Sequence, residues 1–126
     1  MIGKFITFEG IDGSGKTTQA RLLFEKIKCD DSTAELTREP GGSKGAEEIR
    51  RLLVTGDLNR WSPETEILLF TAARRDHVEK TILPAINQGK TVISDRFFDS
   101  TRIYQGTARS DLTSLVDKLH KLVIDI

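Results

Sequence analysis

A chain of 126 residues is long enough for one small domain with a core of its own. Hydrophobic residues make up 37% of it and charged residues 30%, and the net charge of zero gives no reason to expect a nucleic-acid or acidic-membrane surface. No apolar run approaches the roughly 18 residues that span a bilayer, and the one lysine and short strand-like run at the N-terminus do not make a signal peptide. The single cysteine, Cys29, cannot close an internal disulfide, which suits a reducing, cytoplasmic setting, and it reads as a small hydrophobe near a helix end.

In chain order, Lys4–Glu9 (KFITFE) is β-branched and aromatic and runs into glycines, the pattern of a buried strand entering a loop. From Lys16 a helix follows, with Ala20, Leu23, Phe24 and Ile27 on one face. Ser32–Glu39 reads as a second strand, broken by PGGSKG, and Ile49, Leu52 and Leu53 mark one face of a short helix. Ser62-Pro63-Glu64 is a helix start, with a capping serine, proline at the first position and acid in the first turn. That helix is almost wholly apolar over Ile67–Ala73, which predicts burial on several sides; Pro84 should kink or divide it, and Gly89 suits its C-terminal cap. Thr91–Asp95 (TVISD) is a third strand, and Ser110 opens a helix with Leu112, Leu115, Val116 and Leu119 on one face. The order of strands and helices is that of a single α/β domain over residues 1–126 with a parallel sheet. Ligands of such sheets bind beyond the carboxyl ends of the strands, so the loops after Glu9, Glu39 and Asp95 should meet at one crevice.

The stretch between the first strand and first helix is Gly10-Ile11-Asp12-Gly13-Ser14-Gly15-Lys16-Thr17-Thr18, a Walker A loop in its proper setting. Glycines let backbone N–H groups turn inward around phosphate oxygens, and the helix N-terminus adds positive potential. Lys16 would reach the β- and γ-phosphates of ATP, and the Thr17 hydroxyl would ligate Mg²⁺. Asp95, at the end of an apolar strand, stands where the acid that holds the Mg²⁺ shell sits in P-loop enzymes; taken alone it could equally be a strand-end acid or a helix cap. Phe70 and Arg74 are four apart on one helix face and could sandwich and hydrogen-bond a base, although the same pair could be a core ring and a solvated charge. Ser100 with Tyr104, and Thr101 with Gln105, share that spacing and that ambiguity. Arg38, Arg50 and Arg96 lie near the crevice loops; singly each could be a surface charge, together they could hold a second anion. His77 and His120 have no metal-ligand spacing and read as structural or solvated.

These motifs together resemble the thymidylate kinases. The resemblance runs along the whole chain through FEGIDGSGKTTQ, TREPGG (Thr37–Gly42), ETEILLFTAARRDHV (Glu64–Val78), ISDRFFDST (Ile93–Thr101) and YQG (Tyr104–Gly106). It implies a P-loop three-layer αβα fold with sheet order 2-3-1-4-5, and transfer of a phosphoryl group from ATP to dTMP by a homodimer whose contact is the Pro63–Pro84 helix. It also assigns roles. Lys16, Asp95 and Arg96 would serve the transfer, Phe70 would stack on thymine, and Arg74 would bond its edge. Ser100, Thr101 and Gln105 would help read the base, Tyr104 would crowd the sugar 2′ position, and Asp12 would take the 3′-hydroxyl. Arg96, with Arg50 and Arg38, would clamp the dTMP phosphate; Glu9 and Glu39 are carried over as weaker candidates.

Members of the family carry a transition-state arginine either inside the P-loop or in a later lid. Asp12-Gly13-Ser14 resembles the second kind, and the lid and the last two strands are expected beyond Ile126. A chain of these 126 residues alone is therefore expected to keep a dTMP pocket but to be a poor or inactive kinase, with its first strand an open sheet edge. Two alternatives stay open: a non-catalytic nucleotide-binding fragment, and a P-loop kinase for another nucleoside or nucleotide.

Overall fold

The structure is a computed structural model that describes residues 3–10, 13–30, 33–57, 59–97 and 110–124. The candidate residues Ile11, Asp12, Ser100, Thr101, Tyr104 and Gln105 lie outside the described residues. In chain order the elements are β1 (Phe5–Phe8), α1 (Lys16–Cys29), β2 (Ala34–Arg38), α2 (Lys44–Val54), α3 (Pro63–His77), a π-helical segment (Val78–Ile82), α4 (Leu83–Asn87), β3 (Thr91–Asp95), α5 (Ser110–Leu119) and a second π-helical segment (His120–Ile124).

The three strands form one parallel sheet in the order β1-β3-β2, which agrees with the first three positions of the expected order. Register aligns Phe8, Asp95 and Arg38 across the carboxyl ends of the strands. Central β3 is buried at Val92, Ile93 and Ser94. The expectation of a buried first strand is corrected: among the described residues β1 pairs with β3 alone, and Phe5, Ile6 and Phe8 are half-buried while Thr7 is exposed.

Successive residues of a strand point to opposite faces. Asp95 thus meets Thr17 of α1 on one face, while Thr37 of β2 meets His77 of α3 on the other. The core on the second face joins Val78, Ile82, Ala85, Val92, Phe97 and Ile124, with Phe5 set edge-on to Phe97 at 5.0 Å between ring centroids. Ile82 is fully buried, and cutting it to alanine would cost about 2–5 kcal/mol. A second cluster packs Ile67 against Leu112 and Val116 and so seats α5 on α3.

Ser62 caps α3 as its sequence predicts, its hydroxyl accepting the Thr65 N–H at 3.1 Å. Gly89, at φ 83°, closes α4 in a Schellman arrangement: its N–H donates to Ile86 O and the Lys90 N–H donates to Ala85 O. Pro84 divides the long helix through the preceding turn. That turn widens to π spacing, with Leu83 N–H donating to Val78 O, because proline has no N–H to continue an α ladder. Two burial readings are corrected. In α3, Leu68 and Ala72 are exposed, because α2, α5 and the second π-helical segment pack on the side that buries Ile67 and Ala73 and leave another face open. In α2 the covered face is Ala46, Ile49 and Leu53, and Leu52 is exposed, turned away by one residue's rotation from Leu53. Cys29 does end α1, but it is exposed.

Candidate active site at the strand ends

The loops after β1, β2 and β3 meet. Arg96 N–H donates to Phe8 O at 2.9 Å, Glu39 N–H to Asp95 O at 3.0 Å, and Phe97 N–H to Glu9 Oε1 at 3.1 Å. Glu9 therefore ties the first strand to the third. Arg96 takes φ 74°, a left-handed conformation that costs a non-glycine residue about 1–2 kcal/mol and is held by the Phe8 bond and by Ser94 Oγ donating to Arg96 O at 2.7 Å.

The helix that follows the glycine loop differs from its neighbours. Gly15 enters α1 at φ 88°, which L side chains adopt at a cost, and among the described residues no side chain caps α1 and no acid lies in its first turn. By contrast, Ser43 caps α2 and Ser62 caps α3, each with an acid in the first turn. Among the described residues no side-chain cap competes for the N–H groups at the start of α1, and the helix dipole favours an anion there.

Beside this loop is a cavity of about 550 Å³, within the range of about 300–1,000 Å³ usual for small-ligand sites. Its walls bring together the cations Lys16, Arg38, Arg50 and Arg96, the acids Asp95 and Glu39, and the ring of Phe70. Arg50 is held across the loop by its Nη1, which donates to Pro40 O at 2.8 Å. A neighbouring cavity of about 640 Å³ shares Thr17, Arg38 and Asp95 and runs along β2 past Ala20, Leu36 and Glu47.

Thr17 Oγ1 donates to Asp95 Oδ2 at 2.6 Å. Asp95 Oδ1 is buried and has no hydrogen-bond partner among the described residues. A hydroxyl and a carboxylate with a spare oxygen, facing a phosphate loop, fit Mg²⁺, which takes few protein oxygens and completes its shell with phosphates and water. Among the described residues no three His, Cys, Asp or Glu side chains gather into a metal cage of their own.

Arg74 is placed differently from the other arginines. It is 4% exposed, and its Nε donates at 2.6 Å to Oε1 of Glu39, the acid on the cavity wall. Nη2 donates to Phe97 O at 3.2 Å, and the guanidinium carbon lies 5.1 Å from the centroid of the Phe97 ring.

Some organising residues have no signal in the motif. Glu47 accepts Gly42 N–H at 3.1 Å with Oε1 and Arg38 Nη2 at 3.3 Å with Oε2. The Gly42 bond first, then Arg38, holds its carboxyl below the usual glutamate range, against the opposing effect of partial burial. Ser43 Oγ donates to Asp76 Oδ2 at 2.6 Å, which pins the start of α2 to α3. Ser43 ahead of an acid-rich helical stretch was a readable cap; the reach of Asp76 to it was not.

A glycine loop between a parallel strand and an uncapped helix, with Lys16, Thr17 and the strand-end Asp95 around it, defines a P-loop nucleotide-binding fold. Comparison with known proteins narrows the class. The thymidylate kinase family model matches residues 8–125, and the chain belongs to that family. It is 67% identical to the thymidylate kinase of Ruegeria pomeroyi over 122 residues, covering 97% of this chain and 58% of that protein. It is 66% identical to that of Dinoroseobacter shibae over 122 residues, covering 97% and 59%. The crystal structure of thymidylate kinase from Ehrlichia chaffeensis superposes with a TM-score of 0.90 at 46% identity, covering all of this chain and 72% of that one. The chain thus spans somewhat over half the length of these curated relatives. No helix among the described residues is long and apolar enough to cross a membrane.

Proposed function

We propose that this crevice transfers the γ-phosphoryl group of ATP to the 5′-phosphate of dTMP, giving dTDP and ADP. The observation that carries the reading is the set of four cations, Lys16, Arg38, Arg50 and Arg96, around one cavity that opens at an uncapped helix N-terminus. One polyphosphate needs the loop and Lys16; three arginines beside it suit a second phosphate. An uncharged acceptor such as a nucleoside would have no use for them.

Both reactants are anions, and the acceptor oxygen is already ionised, so the chemistry needs positioning and charge neutralisation more than a strong base. In this reading the backbone of the glycine loop and Lys16 hold the ATP phosphates. Arg96, with Arg50 and Arg38, aligns the acceptor phosphate, and the strained turn at Arg96 aims its guanidinium from the end of β3. Thr17 and Asp95 would hold Mg²⁺, which supplies charge neutralisation between the donor phosphates when bound. Phe70 supplies a plane for thymine, and Arg74 a donor to its edge. Asp12, Ser100, Thr101, Tyr104 and Gln105 take the sugar and base contacts that the family resemblance implies.

The homodimer that the family resemblance implies would form through the Pro63–Pro84 helix, on which Leu68 is exposed. ATP as donor and one unpaired cysteine accord with a cytoplasmic setting. The test is a coupled assay on the protein as its gene encodes it, with dTMP, dUMP, dGMP, AMP and thymidine as acceptors. ADP release fastest with dTMP supports the reading. Equal rates with AMP would remove the base-reading roles of Phe70 and Arg74, and a preference for thymidine would remove the phosphate clamp.

A further inference from the structure

We infer that His77 is a positioning residue for nucleobase recognition, acting on Arg74 through the shared carboxylate of Glu39; the inference rests on Arg74 reading the base as proposed above.

His77 is fully buried on α3, three residues from Arg74, so the two share a helix face. Its Nδ1 lies 2.7 Å from Glu39 Oε2, while Glu39 Oε1 takes Arg74 Nε at 2.6 Å. The carboxylate is therefore gripped at both oxygens by one helix. An ionised carboxylate only accepts hydrogen bonds, so Nδ1 must carry the ring proton. In the neutral ring Nε2 is then an acceptor, and the Thr37 hydroxyl, 2.7 Å away, donates to it. This gives a directed chain, Thr37 to His77 to Glu39, with Arg74 donating to the same carboxylate. The chain ends on a buried ion pair whose partners are each 4% exposed.

A glutamate has three rotatable bonds, and an ion pair alone leaves it free to swing about the arginine. Anchored at Oε2, Glu39 can offer Oε1 in one place only. The Nη2 bond to Phe97 O then sets the guanidinium plane from a second direction. Packing keeps the anchor fixed: Gly42, at φ +91°, lies so close to His77 and Thr37 that a Cβ there would overlap both side chains. An arginine held this way presents the same edge to every incoming base, which is the condition for discriminating one base from another.

The test is calorimetric binding of dTMP and of ATP to the protein as its gene encodes it. His77→Leu keeps the bulk but removes both ring nitrogens, and should weaken dTMP about tenfold while ATP changes less than about twofold. His77→Asn places an N–H where Nδ1 stood and should restore dTMP affinity to within about threefold of the parent. In an Arg74→Lys background His77→Leu should add nothing, since its effect runs through Arg74. Unchanged dTMP affinity in His77→Leu, no rescue by His77→Asn, or additive losses in the double variant would each overturn the inference. If Arg74→Lys itself binds dTMP as the parent does, the base-reading role of Arg74 falls, and the inference with it. If His77→Leu does not fold, nitrogen NMR of the parent decides: the Nδ1–H tautomer of His77 is expected, and the Nε2–H tautomer overturns the chain of bonds.

Discussion

The hydroxyl of Thr17, at the start of the first helix, donates a 2.6 Å hydrogen bond to Oδ2 of Asp95, at the end of the central strand 78 residues later, and the other oxygen of Asp95 is buried with no partner among the described residues. A buried carboxylate oxygen without a partner is costly unless a cation or water uses it. Asp95→Asn keeps the shape and removes the charge. It should raise the Mg²⁺ concentration for half-maximal activity by at least about tenfold, the lower end of what even an outer metal partner is worth. A Mg²⁺ titration that matches the parent's would reduce Asp95 to a hydrogen-bond partner of Thr17.

Glu39 and Arg74 form a buried ion pair, each side chain 4% exposed. Glu39→Ala strands the guanidinium and the His77 N–H together, and should lower stability by about 3–5 kcal/mol in denaturant unfolding. A loss below 1 kcal/mol would mean that water or a loop movement replaces the carboxylate.

Gly42→Ala separates backbone strain from packing. At Gly42 the added methyl would strike His77 and Thr37, whereas at Gly15, also at positive φ, it would meet nothing within 4 Å. Gly15→Ala should therefore cost about 1–2 kcal/mol of stability from strain alone. Gly42→Ala should cost clearly more, and equal thermal shifts for the two would contradict the packing of that loop on His77.

Glu47 should give the protein part of its acid sensitivity. Its carboxyl is held below the ordinary value by the Gly42 N–H and by Arg38. A depressed carboxyl stabilises the fold above the unfolded value, about pH 4.3. That stabilisation is lost as pH falls through the folded value. The side chain is 37% exposed, so the contribution stays under about 1 kcal/mol. Glu47→Gln should flatten the stability profile below about pH 4.5 and leave its slope near neutrality unchanged; a change confined to neutral pH would contradict this.

Local chemistry made much of this molecule legible from its residues. The glycine loop, the strand ending at Asp95, the Ser62 cap and the Gly89 Schellman turn each depend on a few adjacent residues, and each falls where its pattern places it. The convergence of the three strand ends also followed, because parallel topology dictates it. The partners of Arg74 were not legible. Glu39 is 35 residues from it in sequence, and His77 is 40 from Thr37, so no periodicity joins them. A histidine without metal-ligand spacing reads as structural or solvated, and only the fold shows that His77 is buried with both ring nitrogens engaged. Exposure on α2 and α3 misled for a related reason: an apolar run shows that a helix has a face to bury, but not how much of it the neighbours cover, and Leu52 and Leu68 are left outside.

The central claim is that the cavity ringed by Lys16, Arg38, Arg50 and Arg96 takes a thymidine monophosphate beside the ATP loop. Calorimetric titration of the protein as its gene encodes it, with dTMP, thymidine and AMP in turn, tests this most directly. The account predicts saturable binding of dTMP, at least tenfold weaker binding of thymidine for want of the phosphate, and loss of most dTMP affinity in Arg96→Ala. Binding of thymidine as tight as dTMP, or an Arg96→Ala protein that binds dTMP unchanged, would contradict it.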